Sequence, residues 1–344
     1  MTISIVLLVA CVALLWRCSA VADSTEYNVN VQDVTRGPSN SIWAQVQNPT
    51  VIAQIQQTPN MGMEFFDDFT SAGLSIASNV GIIWGNRPWQ AYMGTNGVLG
   101  TDPNLEGGVI LLSDGGNSTV DMEMTQAAGW AGFISPATGN AYKQQIYFEA
   151  RVAVGSITTA KRDAFIGLAS VATPPTANMI INSTTNTLST TPGLFGFHFR
   201  STTNPTDVGV AYNVAGGTVQ YPANLQTLSN TVAGAALTAY SATNGVATGF
   251  IKLGFIFDPT SANPPALVTS ATGSGQTVGQ VKKPVIQFFV NGQVAPAFFD
   301  SSMVQSALFP SNFLAPVIAY ESRSGTSAGG LYVDWVRCIS IANS

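Results

Sequence analysis

From Met63 onward the dominant pattern of the chain is an alternation of apolar and polar positions. In IYFEARVAV, Ile146, Phe148, Ala150, Val152 and Val154 share one face, with Tyr147, Glu149, Arg151 and Ala153 on the other. LFGFHFRS sets Phe195, Phe197 and Phe199 against His198 and Arg200, and FIKLGFIFD aligns Ile251, Leu253, Phe255 and Phe257. VIQFFVNGQ aligns Ile286, Phe288 and Val290 and then reaches Asn291-Gly292. Both residues of that pair tolerate the left-handed backbone that a two-residue hairpin turn demands. Successive side chains of a strand point to opposite faces, so each run predicts a strand with one face buried. No stretch repeats at helical spacing over a useful length. The pattern predicts an all-β protein with one face of each sheet in a common core.

The closing run, GGLYVDWVRCISI from Gly329 to Ile341, is apolar on both faces. Leu331, Val333 and Trp335 fall on one side and Tyr332, Val336 and Cys338 on the other, which predicts a central strand covered on both sides. Asp334 sits in its middle, on the Tyr332 face. A carboxylate taken out of water needs a partner. Arg337 points the opposite way, so Arg323, Arg151 or backbone donors are the candidates, and Asp334 reads as a structural acid.

Two long stretches rich in Thr, Ser, Pro, Asn and Gly interrupt the strands, Ala172 to Gly193 and Asp258 to Pro284. They read as loops and as surface for contacts. Residues 1–22 form a hydrophobic leader, with an apolar run from Ile5 to Trp16 followed by Arg17 and by Ala20-Val21-Ala22, a spacing that signal peptidase accepts. The run is shorter than the roughly 20 residues that span a bilayer, and nothing later approaches that length. Residues 23–63 are polar and broken by Gly37-Pro38, Asn48-Pro49 and Thr58-Pro59, which predicts an irregular arm ahead of a single β domain over 64–344. Ile42 and Trp43 are the candidate anchor of that arm, laid either along a partner or back over its own domain.

Composition narrows the setting. The 344 residues are 46% hydrophobic and 9% charged, enough to bury one large core or two modest ones. Charged residues fall far below the usual quarter, and uncharged polar residues take their place on the surface, as suits extracellular or particle-bound proteins. A net charge of -5 offers no basic field for phosphates, which argues against a nucleic-acid partner. The cysteines are Cys11, Cys18 and Cys338; if the leader is removed only Cys338 remains, and the fold must hold by packing without a disulfide.

The order of EFFDDFT (Glu64 to Thr70), YFEARVAVGSIT (Tyr147 to Thr158), DAFIGLA (Asp163 to Ala169), FGFHFRS (Phe195 to Ser201), FIKLGFIFDP (Phe250 to Pro259), IQFFVNGQ (Ile286 to Gln293) and YVDWVRC (Tyr332 to Cys338) resembles a family of tailed-bacteriophage virion proteins. The resemblance covers about residues 40–342 and departs from the family in the insertion between Pro259 and Pro284 and in the leader. It implies a jelly-roll sandwich of the concanavalin A-like, laminin G-like kind on a particle surface, without catalysis. In such jelly rolls the closing strand carries an acid at the place of Asp334 that takes no part in chemistry.

The same jelly roll also carries lectins and laminarinase-like glycoside hydrolases, so the residues themselves must speak. Glycoside hydrolysis needs two carboxylates facing one sugar. The hydrolases place them as Glu-x-Asp-x-x-Glu or Glu-x-Asp-x-Glu; VDMEMT offers Asp121 and Glu123 with Thr125 where a third acid belongs, and reads as a solvated strand face. Asp67 and Asp68 read as strand-end acids accepting backbone N–H groups. No loop is dense enough in Asp and Asn to hold calcium, so no metal and no cofactor is expected. His198, the one histidine, lacks a nucleophile elbow to serve and reads as half-exposed beside Arg200. Cys338 reads as a buried inert thiol. Trp84, Trp89, Tyr92 and Trp130 read as core or inter-subunit packing, with sugar stacking as the alternative.

Two functions stand at this point. The first is a non-enzymatic virion surface protein that decorates or stabilises a capsid or touches the host surface, with capsid or other virion proteins and copies of itself as partners. The second is a secreted carbohydrate-binding or adhesion module, favoured by the leader and by the sequons at Asn117 and Asn182.

Overall fold

The strands run in chain order as β1 (Gly62–Asp67), β2 (Trp89–Met93), β3 (Val98–Thr101), β4 (Ile110–Ser113), β5 (Val120–Gln126) and β6 (Ala131–Gly132). They continue as β7 (Gln144–Val154), β8 (Arg162–Ala169), β9 (Ile181–Asn182), β10 (Thr187–Leu188), β11 (Leu194–Arg200) and β12 (Gly209–Asn213). The last are β13 (Ser241–Thr243), β14 (Val246–Thr248), β15 (Ile251–Phe257), β16 (Ile286–Val290), β17 (Gln293–Phe299), β18 (Phe313–Ser322) and β19 (Gly330–Ala342). This computed structural model describes residues 36–43, 62–70, 89–94, 97–102, 108–113, 120–126, 131–132, 144–157, 162–170, 176–182, 187–200, 206–232, 235–243, 246–258, 285–304, 306–322 and 329–342. The chain divides into Met1–Pro38 and Ser39–Ser344, and the second unit holds the sandwich.

One sheet runs β17-β16-β15-β7-β19-β4-β3, with β1 also paired to β19. The other runs β12-β11-β8-β18-β5-β2, with β6 paired to β18. Neighbours are antiparallel throughout, as in β7 with β19 and β8 with β18. The all-β arrangement expected from the alternation, and the antiparallel jelly-roll sandwich that the resemblance implies, are the architecture observed. Asn291 and Gly292 have φ of 49° and 75° and close the β16–β17 hairpin with Val290 opposite Gln293.

The core lies between the sheets where the alternation puts it. Phe148, Phe195, Phe197, Phe255 and Phe288 all belong to it, with Phe148 stacked on Phe255 at 5.2 Å and Phe195 edge-on to Phe255 at 4.8 Å. The outer faces are not left to water. Over β8, β11 and β18, Phe165, Leu194, Val317 and Ala319 are capped by Ile180, Ile181 and Leu188. That corrects the reading of Ala172 to Gly193 as plain loop: its described part holds the β9–β10 ladder and buried side chains, because an apolar outer face needs a cover. Residues 259–284 lie outside the described residues, as does the leader.

The first sheet has its own cover. Asn40–Trp43 forms a helical turn that seats Ile42 among Tyr147, Ile256, Phe289 and Ile339. Gly254 makes the room: a Cβ there would meet Ile42 Cδ1 at 2.4 Å. The Ser39 amide and Trp43 Nε1 donate to Glu149 Oε2 at 2.9 and 2.7 Å, and the Arg337 guanidinium lies 4.3 Å over the Trp43 ring. Ile42 and Trp43 are thus placed on their own domain, the second of the two arrangements open to the arm. Truncating Ile42 to Ala should cost about 2–4 kcal/mol in denaturant unfolding, from lost burial and the cavity left on Gly254. A chain beginning at Met63 should melt at a lower temperature than the full chain; an unchanged melt would remove the covering role.

Candidate functional site

The closing strand is where sequence and structure differ most usefully. Val333 pairs with Val152 and Trp335 with Arg151, so Asp334 is the extra residue of a β-bulge. The bulge resets the alternation. Leu331 and Val333 enter the core before it, and Val336 and Cys338 enter the core after it. The expected grouping of Asp334 with Val336 and Cys338 is therefore corrected: those two turn inward, while Asp334 meets Arg151 on the outer face of the sheet. Arg151 Nη1 bonds Asp334 Oδ2 at 2.5 Å, with the two side chains 15% and 1% exposed. The glycines that open the run allow a close crossing. Gly329 has φ of +77°, and a Cβ on it would meet Gly155 Cα at 2.8 Å.

Around that ion pair the outer face carries a chain of aromatic rings. The Arg151 guanidinium lies 4.0 Å over the Phe250 ring. Phe250 meets Tyr240 edge-on at 5.7 Å, and Tyr240 stacks on Tyr332 with centroids 3.6 Å apart. The Tyr240 amide donates to the Val154 carbonyl at 2.8 Å, which fixes the ring beside β7. Its hydroxyl donates to Asp102 Oδ2, and Asp102 itself is buried. Phe250, Tyr240 and Tyr332 are all half-buried, so the rings reach the surface. Burial and then the bond to Asp102 push the Tyr240 phenol up, and burial with the Asp102 charge does the same to Tyr332. Both stay neutral at ordinary pH. Such a surface, with flat apolar rings beside fixed polar groups, can hold a ligand that has an apolar face and hydrogen-bonding edges.

The other candidates fall into structural roles or outside the described residues. Asp67 accepts the Phe69 amide at 2.8 Å and Trp89 Nε1 at 2.8 Å, which ties Trp89 into the core; Asp68 accepts the Thr70 amide at 3.2 Å. His198 is 2% exposed, which corrects its half-exposed reading. Its Nε2 lies 3.3 Å from Asp163 Oδ1 and its ring stacks on Tyr221, which Arg200 covers from 4.0 Å. Burial pushes Tyr221 up to about 12, with Arg200 opposing it. His198 and Asp163 are buried, while Tyr221 and Arg200 are half-buried above them. Cys338 is fully buried and its thiol is pushed far up by burial. Tyr92 is half-buried on β2, and Asn182 is half-buried on β9. Asp121 and Glu123 lie on β5 in register with Glu321 and Ala319, their side chains outside the described ones. Trp84, Trp130, Asn117 and Arg323 lie outside the described residues. Among the described residues, no group of three or more His, Cys, Asp or Glu is placed to hold a metal ion, and no helix is long and apolar enough to cross a membrane.

No protein-family model and no curated protein matches this sequence. Solved structures do. The carbohydrate recognition domain of Emp47p is similar at 11% identity and a TM-score of 0.44, over 83% of this chain and 98% of that one. Peanut lectin with a 9mer peptide is similar at 12% identity and a TM-score of 0.42, over 82% and 99%. The carbohydrate esterase vb_24B_21 of the Shiga toxin-encoding bacteriophage phi24B is similar at 16% identity and a TM-score of 0.32, over 74% and 90%. At these scores the likeness decides neither ligand nor chemistry, and the reading of the site rests on its own side chains.

Asp334→Ala should destabilise the fold by roughly 1–3 kcal/mol, because the half-buried Arg151 guanidinium loses its carboxylate acceptor. Chemical unfolding measures it; wild-type stability in the variant would contradict the structural role of the acid.

Proposed function

We propose that the chain is a non-enzymatic carbohydrate-binding module and that the Tyr240, Tyr332 and Phe250 surface with Arg151 is where it binds. The observation that carries this reading is the ring ladder itself. Three half-buried aromatics lie on one outer face, next to a guanidinium and a carboxylate with fixed hydrogen bonds. Sugar rings offer C–H faces to aromatic rings and hydroxyls to planar polar groups, and that pairing needs neither metal nor cofactor. The β13–β14 hairpin, whose Ser241, Thr243, Val246 and Thr248 are exposed, follows Tyr240 directly and supplies a rim.

The setting we propose is a particle surface, with a secreted protein as the alternative. The support is the sequence resemblance to tailed-phage virion proteins, whose quoted runs fall on β1, β7, β8, β11, β15, β16 and β19 of the two sheets. On a particle, a glycan-binding sandwich would serve contact with the host surface. Copies of the chain and capsid or other virion proteins would be its partners. Mass spectrometry of purified particles tests this setting, and its absence from intact particles would leave the secreted module.

Binding is tested on a glycan array with the full-length protein. Tyr240→Ala and Tyr332→Ala should each weaken the glycans that register by on the order of tenfold while the protein stays folded, since loss of a stacked aromatic costs about 1–2 kcal/mol. Unchanged binding in both variants would remove this surface from the function.

A further inference from the structure

The hydrogen bond between Tyr240 and Asp102 determines what the aromatic surface can accept. A phenol has one proton to give, and a carboxylate can only accept. The Tyr240 hydroxyl donates to Asp102, so its oxygen presents lone pairs alone to anything that docks on the rings. A docking group must therefore bring a proton. Sugar hydroxyls and N-acetyl amides do; carboxylate, sulfate and phosphate groups do not, and an acidic sugar that turns a hydroxyl to the phenol still brings its charge close to Asp102.

The charges point the same way. Asp102 lies behind the phenol with its negative charge, and the guanidinium beside the rings already faces an acid. Arg151 bonds Asp334, with Lys252 opposite it on β15. The chain as a whole carries a net charge of -5, which disfavours an anionic ligand at longer range.

We infer that this surface selects neutral glycans and rejects uronic, sialylated and sulfated ones, with the Tyr240–Asp102 pair as the specificity element. This rests on the carbohydrate-binding reading above and adds the class of sugar to it. Tyr240 is the contact, and Asp102 is a positioning residue that acts through it.

The probe is an immobilised set of neutral hexose and N-acetylhexosamine oligosaccharides together with matching uronic, sialylated and sulfated forms, presented to the full-length protein at low and high salt. Neutral members are expected to bind at least about tenfold better than their acidic counterparts, with little change between the two salts. In Asp102→Asn the side-chain amide can donate to the phenol oxygen and turn the phenol proton outward, so the gap should narrow severalfold. Tyr240→Phe keeps the ring and removes the oxygen; it should lose severalfold in neutral binding and narrow the same gap, which keeps the test available if Asp102→Asn does not fold. Equal or stronger binding of the acidic set by the wild type overturns the inference and leaves the carbohydrate-binding reading standing. Unaltered selectivity in folded Tyr240→Phe also overturns the inference. No binding to any member of either set removes the reading itself.

Discussion

The structure depends on the pairing of β7 with β19. The last strand of the chain lies in the interior of its sheet, with β7 along one edge and β4 and β1 along the other. Strands in that position are covered on both faces, so every polar side chain on them must be satisfied by the protein. Two groups on β7 meet that demand on the outer face, and both bring in remote chain. Glu149 is fully buried and receives the Ser39 amide and the Trp43 indole, which holds the N-terminal turn onto the sheet. Arg151, two residues along, donates to Asp334 and lies over Phe250, which organises the aromatic ladder. Cover and candidate site are thus neighbours because they answer the same burial constraint at adjacent outward positions of one strand.

The bulge at Asp334 links that constraint to the candidate site. Without the extra residue, a carboxylate on β19 would continue the alternation and the inward and outward positions of the second half of the strand would exchange. With it, Asp334 reaches Arg151, while Val336 and Cys338 enter the core. The ion pair in turn fixes the guanidinium beside Phe250, and the stacked pair Tyr240 and Tyr332 completes the surface. An ion pair this buried adds little to stability against an apolar alternative, although breaking it is costly. Its main effect here is to define one arrangement of the outer face.

Much of the sandwich was legible in the sequence because its core obeys a local rule. The faces assigned to Ile146 through Val154, Phe195 through Phe199 and Ile251 through Phe257 are those observed, and Asn291-Gly292 makes the hairpin turn it suggests. The rule fails where the chain does something non-local. One residue of bulge shifts every later position on β19, and only an acid amid apolar neighbours hinted at it. His198 was assigned to a half-exposed face because alternation marks the outer side of a strand without telling whether another segment covers that side. The aromatic surface was missed as a unit: Asp102, Arg151, Tyr240, Phe250 and Tyr332 come from five separate places in the chain, and no spacing relates them. Arg151 is one of the partners open to Asp334 in the sequence, beside Arg323 and backbone donors, and that is the one thread leading to the surface.

The central claim is that the outer face around Arg151 is the face that meets a ligand, and hydrogen exchange tests it most directly. The full-length protein is compared free and saturated with the best-binding oligosaccharide, with exchange followed by mass spectrometry across the whole chain. Added protection should concentrate in the segments that carry Tyr240 and Phe250 and in the first half of β19. Protection confined to the opposite sheet, around His198 and Tyr221, or changes spread evenly over the chain, would contradict the account.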